Sequence, residues 1–329
     1  MRIGVFCSGG DAPGMNACIR GVVRCATKFD HEVVGIRRGY QGLLDEDFHL
    51  NDQREPILTS RCVSDIGKWG GTILRSSRSD EFRTEAGQQR AAKILTQHNI
   101  EALVAIGGDG TLCGAMALSK HWNGKIIGCP GTIDNDLLGT SYTIGFATAV
   151  QTAVDAVDKI RDTAESHDRM FLIEVMGRHS GYIAAFTALA GGAELVCIPE
   201  TDTNAKQIVA DLKAMRDRGK SSIMMIVAEG DERGNAQQID QLLQEAGNPF
   251  NTRIVVLGHL QRGGCPVPMD RIIAASMGDY AVRAIMEGES LKLSGIVGGE
   301  NRLTPFDVAV AGHNPIPDRM LDLLETLSH

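Results

Sequence analysis

Ala102-Leu103-Val104-Ala105-Ile106-Gly107-Gly108-Asp109-Gly110-Thr111 decides the fold. Five apolar residues read as a short buried strand, and the glycines behind them stop it. The pattern returns at once. The apolar run 125–129 leads into Pro130-Gly131-Thr132-Ile133-Asp134-Asn135-Asp136. Working outward, runs of the same kind occupy 2–6, 32–36, 171–175, 195–198, 223–228 and 253–257, each bounded by Gly, Asp, Pro or Asn. Helical stretches lie between them. Val150, Val154, Val157 and Ile160 fall on one face, with Asp155, Asp158 and Lys159 off it. The segments around 86–97 and 270–288 also read as helices. Strand alternating with helix predicts an α/β protein with mainly parallel sheets wrapped by helices. A domain change is expected near 140–146, between Gly139 and Gly145, with a return near Gly258 to Gly264.

Length and composition set the bounds. A chain of 329 residues suits one large α/β unit or two modest domains. With 22% charged and 43% hydrophobic residues it has the means to fold, which argues against disorder. A net charge of -8 argues against a general nucleic-acid binder but not against small phosphate ligands, for which a few arginines suffice. The opening Met1-Arg2-Ile3-Gly4-Val5-Phe6 runs straight into a strand with no secretory leader, and no apolar run is long enough for a membrane span. The 8 cysteines show neither Cys-x-x-Cys pairs nor zinc spacing, so buried free thiols in a reducing cytoplasm are expected.

In open parallel sheets ligands sit beyond the carboxyl ends of the strands. Those ends are chemically equipped here. After 2–6 comes Ser8-Gly9-Gly10-Asp11, and after 171–175 comes Met176-Gly177-Arg178-His179-Ser180-Gly181. After 223–228 comes Glu229-Gly230-Asp231, and after 253–257 comes Gly258-His259-Leu260-Gln261-Arg262-Gly263-Gly264. Gly9-Gly10 taken alone is better explained by a tight turn than by an anion site. Gly107 to Thr111 is neither a Walker loop nor a dinucleotide fingerprint. Its Asp109 suits a magnesium ion shared with substrate phosphates, against the plainer reading of a solvated turn. Thr132, Asp134 and Asp136 alternate, so an extended loop would point all three one way and offer a base beside an acceptor hydroxyl. An Asx-turn around Asn135 is the plain alternative. Arg178 and Arg262 stand at strand ends as forked phosphate binders; Arg78, Arg169 and Arg253 are further candidates that spacing does not distinguish from surface residues.

These motifs, in this order along nearly the whole chain, strongly resemble the 6-phosphofructokinase family in its short bacterial form. The matching stretches are Ser8 to Asn16, Gly107 to Gly110, Pro130 to Asp136, Met176 to Arg178 and Gly258 to Gly264. The resemblance implies two Rossmann-like three-layer α/β domains with the active site in the cleft between them. Residues 1–145 plus about 261–311 would bind ATP, and 146–260 plus about 312–329 would bind fructose 6-phosphate. Mg-ATP would give its γ-phosphate to the sugar 1-hydroxyl in a glycolytic step. Asp134 would be the general base and Asp109 would hold Mg²⁺. Gly10, Arg78 and Arg178 would stabilise the transferring group, with Thr132 and Asp136 shaping the site. Tyr40, Ser79, Gly108, Gly110 and Thr111 complete the expected nucleotide set. Met176, Gly177 and Glu229 would contact the sugar. His259 and Arg262 would take the 6-phosphate, helped by Arg169 and Arg253 from a neighbouring subunit. A homo-oligomer, usually a tetramer, is therefore implied.

Pyrophosphate-using members of that family usually carry Asp at the place of Gly110 and Lys at the place of Gly131, so ATP is the implied donor. Some features look more like longer or pyrophosphate-using relatives: His179-Ser180-Gly181-Tyr182 and Ala228-Glu229-Gly230. Ser79 also stands where an aromatic residue is common. Arg20, Arg24, Arg61, Arg161, Glu194, Arg218 and Lys220 resemble the family's effector site for ADP or phosphoenolpyruvate, but Ser221-Ser222 replaces basic residues there. Rival readings are a lipid or NAD kinase, which shares Gly-Gly-Asp-Gly-Thr, a pyrophosphate-dependent enzyme, and a non-catalytic regulatory relative. A dehydrogenase is the weakest, since the dinucleotide glycine spacing is missing.

Overall fold

The computed structural model describes residues 1–327. The chain divides into two compact units. Unit 1 holds Met1–Ile133, Leu137–Thr148 and Arg262–His313; unit 2 holds Asp134–Asp136, Ala149–Gln261 and residues from Asn314 onward.

Unit 1 is built on strands β1 (Arg2–Cys7), β2 (Glu32–Gly35), β3 (Ala102–Gly107), β4 (Lys125–Thr132), β5 (Ile144–Gly145), β10 (Lys292–Val297) and β11 (Glu300–Pro305). Their order is β11-β10-β4-β3-β1-β2, with β5 also paired to β4. All pairings are parallel except the hairpin β10–β11. Its helices are α1 (Met15–Lys28), α2 (Gly39–Leu44), α3 (Glu85–Gln97), α4 (Asp109–Ser119), α9 (Pro268–Met286) and α10 (Phe306–Ala309). Strand side chains alternate between faces. Phe6, Leu103, Ala105 and Ile126 join α2, α3, α4 and α10 in one buried cluster. The intervening residues turn the other way, where Cys129 Sγ lies 3.7 Å from the Met277 carbonyl of α9. That makes three layers.

Unit 2 carries β6 (Met170–Val175), β7 (Leu195–Cys197), β8 (Ile223–Ala228) and β9 (Thr252–Val256), ordered β7-β8-β6-β9 and wholly parallel. Met170, Leu172, Met225 and Val227 pack on α7 (Ala205–Asp217) and α8 (Ala236–Glu245). Helix α6 (Tyr182–Gly191) also packs on β8, and α11 (Asp318–Leu327) packs on α6. Helix α5 (Phe146–Glu165) starts in unit 1, which holds it to Thr148, and belongs to unit 2 from Ala149 onward.

The alternation of strand and helix is therefore present, and the strand runs read from the sequence match β1–β4 and β6–β9 to within a few residues. Strands β5, β10 and β11 have no counterpart among those runs. The β10–β11 hairpin does leave a signal. Gly298 and Gly299 have φ of 62 and 87, as a two-residue primed turn requires. Polar residues in Lys292-Leu293-Ser294-Gly295 hide the first strand of that hairpin. The thiols are free, as expected, but not all are buried: Cys113 and Cys265 are exposed. No helix among the described residues is long and apolar enough to cross a membrane.

Candidate active site

In unit 1 the strand-end loops are cross-tied by short polar bonds. Thr111 is buried, and its Oγ1 donates to the Ser8 carbonyl at 3.1 Å, which ties the end of β3 to the end of β1. No side chain fits at Gly107, because a Cβ there would lie 2.2 Å from Thr111 Oγ1. Ser76 Oγ donates to the Gly9 carbonyl at 2.6 Å and holds the glycine turn from the other side. Arg262 Nη1 donates to the Asp11 carbonyl at 3.2 Å, and a Cβ on Gly10 would come within 2.7 Å of the same nitrogen. Arg262, expected from the resemblance on the sugar-phosphate side, therefore lies in this structure beside the Gly10–Asp11 loop of unit 1.

Asp109 is the first residue of α4 and is exposed. A carboxylate there benefits from the positive end of the helix. Gly110 follows, and a Cβ on it would meet nothing within 4 Å, so the loop fronts open space. A magnesium ion that keeps waters and takes one carboxylate beside phosphate oxygens fits this arrangement. Among the described residues no group of three or more His, Cys, Asp or Glu forms a protein cage for a metal. Arg78 is exposed on the neighbouring loop. Ser79 Oγ donates to Gln41 Oε1 at 2.7 Å and accepts the Phe82 N–H, so its hydroxyl is spent on structure. Tyr40 is only 5% exposed and stacks on Phe82 with centroids 3.9 Å apart. Its hydroxyl donates to the Thr111 carbonyl at 2.7 Å. Burial pushes this phenol above its ordinary range. The structure makes Tyr40 a support beneath the loop rather than a surface a nucleotide could touch. Cys7, at the end of β1, is pushed up to about 12 by burial and stays a protonated thiol.

In unit 2 four of the candidates, Asp134, Gly177, Arg178 and Glu229, come together. Asp134 is 2% exposed, and its Oδ2 lies 3.6 Å from Arg178 Nε. Arg178 has φ of 52 and Gly177 φ of 141, so the turn after β6 is tightly wound. Only glycine fits at 177, since a Cβ would sit 2.4 Å from the Ser180 carbonyl. Glu229 Oε1 accepts the N–H of Gly177 at 3.3 Å and of Arg178 at 3.0 Å. This carboxylate shapes the arginine turn directly, and Met176 just before that turn is buried. Thr132 ends β4 in unit 1, and its methine carbon stands 3.8 Å from where a Gly108 Cβ would be.

The expectation that Thr132, Asp134 and Asp136 share one face fails. Asn135 takes φ of 52, which breaks the extended alternation between the two aspartates. Asp134 is buried while Asp136 is half-buried. The remaining sugar-phosphate candidates lie apart from this cluster in sequence and element. His259 is exposed in the turn after β9. Arg253 is exposed on edge strand β9, with Nη1 on Asn251 and the Thr252 carbonyl. Arg169 is half-buried just before β6.

Three of the effector candidates form one cluster in unit 2. Buried Glu194 takes Lys220 Nζ at 2.6 Å, Arg161 Nη1 at 3.6 Å and the Met224 N–H at 2.6 Å. Arg161 Nη2 also donates to the carbonyls of Gly191 and Gly192 at 2.7 Å each. Arg218 is exposed nearby in sequence, while Arg20, Arg24 and Arg61 are exposed on unit 1.

Sequence reasoning passes over Asp270. It is buried, and it accepts the N–H groups of Gly145 at 2.9 Å and Thr148 at 2.7 Å and the Thr148 hydroxyl at 2.5 Å. It therefore caps the start of α5 from the first turn of α9. No local spacing marks a partner more than a hundred residues away.

The family model described as phosphofructokinase matches residues 2–285. The chain is 49% identical over 328 residues to ATP-dependent 6-phosphofructokinase 1 of Thermus thermophilus, covering 99% of both. It is 46% identical over 321 residues to the ATP-dependent 6-phosphofructokinase of Halothermothrix orenii, covering 94% of this chain and 93% of that one. Among solved structures it resembles Pichia pastoris phosphofructokinase in the T-state, with a TM-score of 0.85 and 32% identity, over 99% of this chain and 36% of the longer yeast chain. The pyrophosphate-dependent phosphofructokinase of Nitrosospira multiformis shares the fold, with a TM-score of 0.85 at 22% identity.

Proposed function

The chain belongs to the phosphofructokinase family, and from that premise we propose that it is an ATP-dependent 6-phosphofructokinase, a phosphotransferase that converts fructose 6-phosphate and ATP into fructose 1,6-bisphosphate and ADP in glycolysis. Near-complete coverage by ATP-dependent relatives carries this reading, together with the Asp134–Arg178 pair.

The roles proposed here are those the family resemblance implies, and the geometry supports that of Asp134 and Arg178. Asp134, buried beside a guanidinium, is the base that takes the proton of the sugar 1-hydroxyl as its oxygen attacks the γ-phosphorus. Arg178, half-exposed, offers its remaining N–H groups to the equatorial phosphoryl oxygens. Gly10 and Gly108 present backbone without side chains to the phosphates, and Arg262 stands beside Gly10. Asp109 would hold the Mg²⁺, which would supply charge neutralisation for the transferring phosphate. Thr132 and Asp136 border the acceptor hydroxyl. Met176, Gly177 and Glu229 shape the sugar side, and His259 and Arg262 take the 6-phosphate, helped by Arg169 and Arg253 from a neighbouring subunit. We assign residues 1–145 plus about 261–311 to nucleotide binding and 146–260 plus about 312–329 to the sugar phosphate.

Donor choice rests on Gly110 and Gly131. Open space at Gly110 leaves room for the α-phosphate region of a nucleotide. At Gly131 even a Cβ would meet Met15 Cε at 2.8 Å, so a lysine is not accommodated without rearrangement. The enzyme acts as a homotetramer in the cytoplasm, a compartment its free thiols suit. The Arg161–Glu194–Lys220 cluster belongs to a site for ADP or phosphoenolpyruvate. A coupled assay on fructose 6-phosphate, run in parallel with Mg-ATP and Mg-pyrophosphate, tests the reading. Turnover with ATP is expected; turnover with pyrophosphate alone would falsify the donor assignment.

A further inference from the structure

Three consecutive carbonyls in the acceptor loop are each held by a donor from outside it. Ser180 Oγ donates to the Asp134 carbonyl at 2.8 Å. Asn314 Nδ2 reaches the Asn135 carbonyl at 3.4 Å, and the Asn314 backbone N–H donates to the Asp136 carbonyl at 2.9 Å. One residue joins these donors. Tyr182, first in α6, gives its hydroxyl proton to the Pro315 carbonyl at 2.8 Å, and the same oxygen accepts Asn314 Nδ2 at 3.2 Å. Its backbone N–H points to Ser180 Oγ at 3.4 Å.

The strap that brings Asn314 in is stiff. Pro315 and Pro317 flank Ile316, which is 3% exposed and anchors the segment. Proline on both sides restricts the backbone and lowers the entropy lost in docking it. What the strap grips is the least relaxed part of the loop, because Asn135 has φ of 52. A residue in that region persists where its surroundings over-determine it. Here the over-determination is visible as three donors on three successive carbonyls.

We propose that Tyr182 and Asn314 are positioning residues for phosphoryl transfer, acting as a clamp that fixes the Asp134–Asp136 backbone and with it the direction of the Asp134 carboxylate. The inference rests on Asp134 being the base of a fructose 6-phosphate kinase. A base must stand within hydrogen-bond reach of the proton it takes, and small displacements of reacting groups cost large factors in rate. None of the clamp's donors, Ser180, Tyr182 and Asn314, is among the residues assigned above to nucleotide or sugar. Loss of the clamp therefore moves kcat and leaves the KM for ATP alone. It also gives a job to the Ser180-Gly181-Tyr182 stretch, whose serine and tyrosine hydroxyls are both used here.

The test uses the full-length protein with Tyr182→Phe, Asn314→Ala and the double variant. Each single variant is expected to lose about tenfold or more in kcat with fructose 6-phosphate and Mg-ATP. The KM for ATP should stay within twofold of the parent. The double variant should be little worse than the poorer single one, because the two residues act as one unit. Hydrogen exchange over residues 133–137, read by mass spectrometry, should rise in every variant. Parent-like kcat and unchanged exchange in Tyr182→Phe, which removes only one hydroxyl, overturn the clamp while the enzyme assignment stands. A fall in thermal stability with parent-like kcat overturns it too. A parent protein that never turns over fructose 6-phosphate overturns the enzyme assignment, and the clamp with it.

Discussion

Gly110→Ala separates stability from function. Gly110 is the second residue of α4, is exposed, and does not adopt a positive φ. A Cβ there meets nothing within 4 Å, so the methyl group costs no packing. Alanine at a compatible position stabilises by about 0.4–1 kcal/mol, chiefly by restricting the unfolded chain. For units of this size that raises Tm by about 1–4 °C. Function is expected to move the other way, because on the donor placement proposed above this open space receives a nucleotide's phosphates. A methyl group that pushes them back forfeits a charge-assisted hydrogen bond, worth about 1.5–3 kcal/mol. That converts to a rise of roughly ten- to a hundredfold in the KM for ATP. The assay is a coupled turnover measurement at saturating fructose 6-phosphate, paired with thermal unfolding of the same preparation. The KM for fructose 6-phosphate serves as the internal control and should hold within twofold. A variant with raised Tm and a parent-like KM for ATP refutes the placement of the donor phosphates at Gly110.

Further outcomes follow from the same structure. Asp134→Ser should lower kcat by about 10²–10⁴-fold with the KM for fructose 6-phosphate largely kept; near-normal kcat would show that Asp134 is not the base. Asp270→Ala strands two buried N–H donors at the start of α5 and should cost about 2–4 kcal/mol in urea unfolding, whereas a loss under about 1 kcal/mol would mean that water replaces the carboxylate. Titrating activity with ADP and with phosphoenolpyruvate should give a response to at least one of them that Lys220→Ala weakens. A flat response to both removes the effector assignment at Glu194 and Arg161.

The contrast between what was legible and what was not has a single physical cause, the sequence distance over which a signal acts. Strand runs such as Ala102–Ile106 are dictated by local apolarity, and the glycines after them by the turn itself, so both can be read directly. Asp134 and Arg178 could each be nominated as a residue following a strand, but they follow strands of two different sheets, β4 and β6, so their 3.6 Å pairing was not legible from either strand end. The face shared by Thr132, Asp134 and Asp136 could not be read correctly. It depends on one φ angle at Asn135, and asparagine occupies the left-handed region only when its surroundings reward it. Those surroundings include Asn314, 179 residues away along the chain. Its neighbourhood of Asn-Pro-Ile-Pro announces a turn but says nothing of which carbonyl the turn will reach. The same holds for Tyr40. Its residue type suits a ligand site, yet the fold spends its hydroxyl on holding the Thr111 carbonyl. Chemistry-bearing residues can therefore be nominated from pattern. Whether each one faces substrate or supports a neighbour that does is settled by long-range hydrogen bonds, which leave no periodicity in the chain.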